Sequence, residues 1–405
     1  MKELSEEQKL YRKEIAKKLA GLRNQMGITQ QQVADKLQTQ KSNISRLESG
    51  EQNISLDYLI AYADAINSKP VLVMEDELEV GYGPTEYSLK LYDEELITFS
   101  MARTFEGTTT VELLSAKEEL KHLFPMNLEL SSAGLRAWLK TRCIPKNRAY
   151  VQEILESLNL EARDLKGIID VCKGLSLNDS YWIVEKGSDL KFDKINLYEN
   201  SFDEALSLVA FVGMMQPRRR SSSPEFTTGG TLRKGWRRIN GETWLYKGGM
   251  EDSGYPALEP YSEYYACQIA KAMGLNAIEY ELAQWKGILA SRCKLFTTKD
   301  ISYVAVGDID GVYEIEDVLL LYQIFGQDFY EQLCDMLVFD ALVYNQDRHF
   351  GNFGLLVDNK TNKPISFAPI FDNGISLWCV ADNIRIGAAL NTVRLAEKVI
   401  EMQLF

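Results

Sequence analysis

Three polar residues at set intervals restrict this chain more than anything else in it: Asp347, Asn352 five residues later, and Asp372 twenty residues beyond that. They belong to Tyr344-Asn345-Gln346-Asp347-Arg348-His349-Phe350-Gly351-Asn352-Phe353-Gly354 and to Ile370-Phe371-Asp372-Asn373-Gly374. Moving a phosphoryl group requires a carboxylate near the attacking hydroxyl and oxygen ligands that hold Mg²⁺ on the phosphates. Asp347 can be the first; Asn352 and Asp372 can be the second. Between the two ligands, Phe353 to Val357, the polar turn Asp358 to Pro364, and Ile365 to Phe367 read as a β-hairpin. A hairpin returns Asn352 and Asp372 to each other's side, as a shared cation demands. The plainer alternative is two surface carboxylates flanking a hairpin.

Kinase catalytic loops separate their Asp and Asn by the same interval. The order Asp-Arg-His, rather than His-Arg-Asp, resembles the HipA-type serine/threonine kinases and is similar to the phosphoinositide kinases. The HipA likeness covers roughly 225–378. It implies a two-lobed α+β kinase fold, ATP and Mg²⁺ as cofactors, and a protein substrate whose identity is unknown. One departure is length: 33 residues follow Asp372, where such kinases continue through several helices. Ile315 to Phe325 and Tyr330 to Tyr344 are apolar-periodic helices, and Leu390 to Leu404 is another.

Upstream, Thr227-Thr228-Gly229-Gly230-Thr231-Leu232-Arg233-Lys234 sets paired glycines between strand-like flanks. Backbone N–H groups there can approach phosphate oxygens, although a plain hairpin turn would read the same. Gly-Lys-Ser/Thr is missing, so this is not a Walker motif. Glu242 to Lys247 reads as a strand ending in lysine, and Glu263 follows sixteen residues later in a helix expected over 261–273. A strand lysine held by a helix glutamate orients the α/β-phosphates in kinases; an unrelated lysine and a solvated glutamate are the alternative. In HipA-like kinases the phosphate loop resembles Ser-x-x-Gly-x-x-x-Lys, and Thr227, Gly230 and Lys234 stand in those places. The likeness implies that Thr228, Gly229, Gly230 and Lys234 contact nucleotide. It implies a hinge for adenine at Lys294-Leu295-Phe296. It also makes Thr227, with its neighbours Ser221, Ser222 and Ser223, a candidate for autophosphorylation. His349 is either a packing histidine or a nucleotide contact and is not assigned as the base.

The first 75 residues follow another logic. Ile15, Leu19, Leu22 and Met26 fall on one helical face, and Gly27 ends that helix. Thr29 can cap a second helix, Gln30 to Leu37, with Val33 and Ala34 inside. Gln38-Thr39-Gln40 makes a turn into a third, Lys41 to Ser49, with Ile44 and Leu47 buried. Ile54, Leu56, Leu59, Ile60, Ala63 and Ile66 supply further helical packing. Two short helices about a tight turn form the DNA-reading arrangement. Gly27 to Ala34 and Asn43 to Gly50 closely resemble the Xre/Cro-type helix-turn-helix family, over about 12–68. The likeness implies that Gln30 holds a phosphate, and that Lys41, Ser42, Asn43, Ser45 and Arg46 face the major groove of double-stranded operator DNA, bound by a homodimer. Gln38 departs from the usual turn glycine, and Thr39 from the usual apolar residue. Residues 9–57 carry nine Lys or Arg against five Asp or Glu, a net +4 within a chain of −13. A helix-turn-helix used only for dimerisation is the alternative.

The chain therefore divides into 1–75, all-α and DNA-binding; 76–216, a linker, a hairpin (87–101) and helices near 115–123, 131–141, 146–158 and 161–173; 217–300, the nucleotide lobe; and 301–405, the catalytic lobe. Six scattered cysteines without Cys-x-x-Cys suggest reduced thiols in a cytoplasm, and two histidines make a histidine metal centre improbable. No apolar run reaches the ~18 residues of a spanning helix. The fusion resembles a toxin–antitoxin pair joined in one chain. A second function from the same residues is a transcription regulator whose kinase-like part only senses nucleotide; a small-molecule or lipid kinase is a third.

Overall fold

The computed structural model describes residues 6–53, 55–68, 84–104, 107–158, 160–214, 222–250, 257–377 and 379. It divides into two compact units, Met1–Val80 and Gly81–Phe405. The expected helix over 390–404, Ile54, Ser221 and most of the linker lie outside the described residues.

The first unit is helical: α1 (Glu6–Gln25), α2 (Gln30–Lys36), α3 (Lys41–Glu48) and α4 (Leu56–Ala65). Its boundaries have local causes. Thr29 and Gln32 cap α2 reciprocally, and the Ser55 hydroxyl accepts the Tyr58 N–H at 3.2 Å to start α4. Gln38 takes the backbone its missing glycine would take, with φ of +50°, a left-handed conformation that costs a side-chain-bearing residue about 1–2 kcal/mol.

The buried face of α1 differs from the aliphatic one. Ala16, Leu19 and Arg23 are buried, whereas Ile15, Leu22 and Met26 are exposed, as are Leu56 and Ile60 on α4. The cause is a buried carboxylate. Arg23 donates Nε and Nη2 to the two oxygens of Glu48 at 2.7 and 2.8 Å, and Tyr62 and Gln30 donate to Glu48 at 2.6 and 2.9 Å. Facing Arg23 inward turns Leu22 and Met26 to solvent. Burial opposes the charge on Glu48, but its three donors outweigh burial and hold its pKa below the ordinary range.

The second unit is α+β with three antiparallel sheets. Its first half contains β1 (Thr85–Leu91), β2 (Glu94–Arg103), β3 (Thr109–Ala116), α5 (Ser132–Thr141), α6 (Val151–Ser157), α7 (Leu165–Cys172), β4 (Tyr181–Glu185), α8 (Phe192–Ile195) and α9 (Glu204–Val212). Its second half contains β5 (Lys234–Ile239), β6 (Glu242–Gly248), α10 (Glu259–Ala272), β7 (Tyr280–Trp285), β8 (Ile288–Lys294), β9 (Ile301–Ala305), α11 (Ile315–Phe325), α12 (Gln327–Val343), β10 (Gly354–Asp358) and β11 (Lys363–Phe367). The strand orders are β3-β2-β1-β4, β5-β6-β8-β7 and β11-β10-β9. Asn240-Gly241 and Lys286-Gly287 have positive φ at both residues, which suits the two-residue turns of the β5–β6 and β7–β8 hairpins.

The expected hairpin around 358–364 is β10–β11. The helix expected over 115–123 is instead the end of β3, whose Ala116 pairs with Ile97, followed by a short 3-10 turn over 118–123. The sequence reading contains neither β4 nor β9. Residues 84–214 are built into the second unit. Tyr303 N–H donates to Asn178 O (2.8 Å), Ser180 Oγ to Lys299 O (2.6 Å), Asn362 Nδ2 to Phe124 O (2.8 Å), and Thr297 Oγ1 to Leu177 O. One core joins the first sheet to α5, α7 and α9 around Phe99, Trp138 and Leu206. A second joins α10, α11 and α12 to the last sheet around Tyr322, Phe339 and Leu355. Each such side chain contributes about 1.5–3 kcal/mol on burial.

Glu48→Ala should leave the Arg23 guanidinium buried without a counterion, at a cost of about 3–5 kcal/mol. Hydrogen exchange on the full chain, corrected for intrinsic rates, should show faster exchange over α2–α4 and no change in β1–β11. Because the folded pKa of Glu48 is depressed, its contribution is present above about pH 4.3 and is lost as pH falls through the folded value.

Candidate active site

A cavity of about 910 Å³ opens within the second unit. It brings Asp347, Asn352 and Asp372 to one space with Lys247, Lys234 and the 227–232 loop. The side that carries Asp347 and Asn352 is shaped by the end of α12. Tyr344 leaves the helix with φ of +54°. The Asn345 amide donates to Asp340 Oδ1 (3.0 Å), and its oxygen accepts the Asp347 N–H (3.1 Å). Arg348 then ties two loops together. It forks onto Asp340 (2.8 and 3.0 Å), and it donates to Asn352 O and Phe371 O (both 2.7 Å) and to Asn373 Oδ1 (2.8 Å). One buried guanidinium thus sets the loop carrying Asp347 and Asn352 against the loop carrying Asp372.

The opposite wall supplies cations. The Lys247 ammonium pairs with both Glu263 on α10 and Asp372. Burial disfavours the charge on Lys247, but Asp372 and Glu263 raise its pKa, so it stays an ammonium. Burial also opposes the Asp372 charge, yet Lys247 and Lys234 hold its pKa far below the usual carboxylate range. Glu263 moves the other way, pushed up by burial, with Asp372 adding to it against Lys247. Burial lowers the pKa of Lys234, helped by the neighbouring Lys247 charge. Asp347 is exposed, but into the cleft; desolvation raises its pKa, and the like charge of Asp372 acts in the same direction. Asp372 itself has φ of +59°.

The donor set suits a hard divalent cation. Asn352 Nδ2 donates to Asp347 O at 3.2 Å, which leaves its carbonyl oxygen for a ligand. Among the described residues no group of three or more His, Cys, Asp or Glu forms a metal cage. Mg²⁺ held by one carboxylate, one amide oxygen and phosphate oxygens needs none.

The remaining expected residues divide. Thr228, Gly229, Gly230, Phe296 and His349 border the cavity. Lys234 does too, but from the start of β5 instead of from the loop. Glu263 stands behind Lys247 and does not border it. Lys294 does border it, with its ammonium in an exposed ion pair with Glu242 at 2.5 Å. Thr227 borders the cavity, while Ser223 is fully buried with its hydroxyl accepting the Glu225 N–H, and Ser222 bonds Cys172 O. Burial therefore removes Ser223 from the modification candidates.

In the first unit Lys41, Ser42, Ser45 and Arg46 are exposed on α3, and Asn43 is half-buried, bonded to Thr39 and Arg46. Gln30 is half-exposed and donates one of its two amide N–H groups to Glu48, which leaves the other for a phosphate. Ile278, Tyr280, Cys293 and Phe371, and Ser176 to Asp179 with Arg142, also border the cavity and are not expected from the sequence. For Ser176 to Asp179 the local signal is the aromatic and amide pairing of 174–182.

Residues 19–73 match the helix-turn-helix family, and residues 226–396 match the HipA-like C-terminal domain. The chain is therefore a helix-turn-helix domain joined to a HipA-like, kinase-related domain. Over 147 residues it is 35% identical to the serine/threonine-protein kinase CtkA of Helicobacter pylori, which is 33% of this chain and 45% of that protein's length. The crystal structure of the Helicobacter pylori proinflammatory kinase CtkA is 30% identical over 40% of this chain and 61% of its own, with a TM-score of 0.32. A chain from the Shewanella oneidensis MR-1 toxin–antitoxin complex of HipA, HipB and operator DNA is 13% identical, over 71% of this chain and 75% of its own, with a TM-score of 0.46.

Arg348→Ala should strand Asp340, whose side chain is 1% exposed, and destabilise the second unit by about 3–5 kcal/mol. Urea denaturation followed by tryptophan fluorescence checks this. Arg348→Lys should recover only part of the loss, because an ammonium cannot fork onto Asp340 while reaching Asn352 and Phe371.

Proposed function

We propose that this chain is an ATP- and Mg²⁺-dependent serine/threonine protein kinase fused to a DNA-binding regulator. The observation that carries the reading is Lys247 held between Glu263 and Asp372, at a cavity that Asp347 and Asn352 also border. Lys247 and Lys234 would grip the phosphates, and the 227–232 loop would cover them. Asn352 and Asp372 would hold Mg²⁺, which when bound offsets negative charge on the phosphates.

In the transfer, the acceptor hydroxyl oxygen bonds to the γ-phosphorus as the bond to the β–γ bridging oxygen breaks. ADP leaves, and the hydroxyl proton passes to Asp347. The raised pKa of Asp347, caused first by desolvation, makes it a stronger base than a free aspartate. Thr227 is the proposed site of autophosphorylation. The first unit would bind operator DNA as a homodimer through α3, in the cytoplasm, in a toxin–antitoxin-like module. No described helix is long and apolar enough to cross a membrane.

Asp347→Ala should lower phosphoryl transfer by about 10²-fold or more and leave ATP affinity unchanged. Labelled-ATP assays and calorimetry measure the two parts; ATP binding without transfer by the wild type would make the domain a sensor. Because Asp347 must be ionised to act, the acid limb of the rate should lie above the ordinary aspartate range. Lys41→Ala and Arg46→Ala should each weaken operator binding in gel-shift titrations, by about 1–3 kcal/mol for a side chain that reads a base edge. Titrations identical to wild type would leave α3 without this role.

A further inference from the structure

Arg148 sits in the turn before α6, in a part of the chain that supplies none of the catalytic residues. Its side chain and that of Glu225 are both 0% exposed, and neither residue borders the cavity. Its Nη1 donates to Glu225 O and to Thr228 O (3.2 Å); its Nη2 donates to Glu225 Oε2 and to Lys234 O (3.1 Å). The other Glu225 oxygen accepts the Trp236 N–H at 2.8 Å. The Trp236 indole N–H donates to Thr228 Oγ1, and the Thr228 hydroxyl donates to Pro224 O, both at 2.8 Å. One guanidinium–carboxylate pair therefore clasps both ends of the loop that runs from 225 to 236.

We infer that Arg148 is a positioning residue for the phosphates, acting through the peptide plane between Thr228 and Gly229. In a trans peptide the C=O and the following N–H point in opposite directions. Arg148 draws the Thr228 carbonyl behind the loop, so the Gly229 N–H is directed away from Arg148, to the side where Gly229 borders the cavity. A loop carbonyl turned forward would instead present negative charge to a phosphate. The bond to Lys234 O anchors the strand end whose ammonium folds against Gly230. Glycine at 230 has φ of +93°, and any Cβ there would collide with that ammonium.

The inference rests on the nucleotide-binding half of the proposed function and is independent of phosphoryl transfer. The test is calorimetric titration of the full chain with Mg·ATP and, separately, with adenosine. Arg148→Lys keeps the charge and loses the fork. It should weaken ATP binding about tenfold or more, the size of one lost donor to a charged oxygen, with adenosine affinity within about twofold of wild type. Unchanged ATP affinity, or equal losses for ATP and adenosine, overturns the inference in favour of a residue that only supports folding.

Should Arg148→Lys not fold, hydrogen exchange on the wild type decides: the Gly229 amide should be protected by ATP and not by adenosine, and equal protection by both, or by neither, overturns it. Wild-type protein that binds no ATP removes the nucleotide reading and this inference together. Protein that binds ATP and transfers nothing removes only the kinase.

Discussion

One ammonium stands at the junction of the second unit. Lys247 comes from β6, Glu263 from α10, and Asp372 from the loop after β11. No single element could bury any of these charges alone, since an unpaired buried ion costs several kcal/mol. Sheet, helix and loop must therefore meet for any of them to be buried. The charge balance is uneven: Lys247 faces two carboxylates, and Lys234 adds its charge at Asp372, so Asp372 is held ionised while burial pushes Glu263 up. That imbalance leaves the ionised partner on the cavity side and the other behind Lys247.

Arg348 does for the loops what Lys247 does for the larger elements. Its donors reach Asp340 on α12, the backbone of both loops, and Asn373. A planar fork with five donors can serve several acceptors in different directions, and a lysine could not. The same device recurs where Arg148 clasps the 225–236 loop and, in the first unit, where Arg23 forks onto Glu48. In each case the arginine itself is hidden, and its effect is on what its neighbours present.

Much of the architecture is legible in short-range pattern. Asp347, Asn352 and Asp372 announce themselves because a turn after a helix and a hairpin between two polar residues both leave marks in sequence. Lys247 and Glu263 are legible as a strand-end lysine and a helix glutamate, and Val33, Ala34, Ile44 and Leu47 as the inward positions of two short helices. The misses are of another kind. Ile15, Leu22 and Met26 make a better apolar face than Ala16, Leu19 and Arg23, but the partner of Arg23 lies 25 residues away. Lys294 pairs with Glu242, 52 residues earlier, a contact that no local pattern shows.

Local periodicity, caps and spacing determined that the chain begins with short helices about a tight turn, and that one carboxylate, one amide and a second carboxylate flank a hairpin near its end. Tertiary structure alone decided that residues 84–214 belong to the second unit, that Ser223 is sealed, and that Arg148 reaches the 225–236 loop 77 to 86 residues further along the chain. The reason is that hydrophobic period and turn chemistry act over a few residues and leave their trace there. A buried ion pair or a backbone carbonyl claimed from a distance depends on which surfaces meet, and no window of sequence contains both partners.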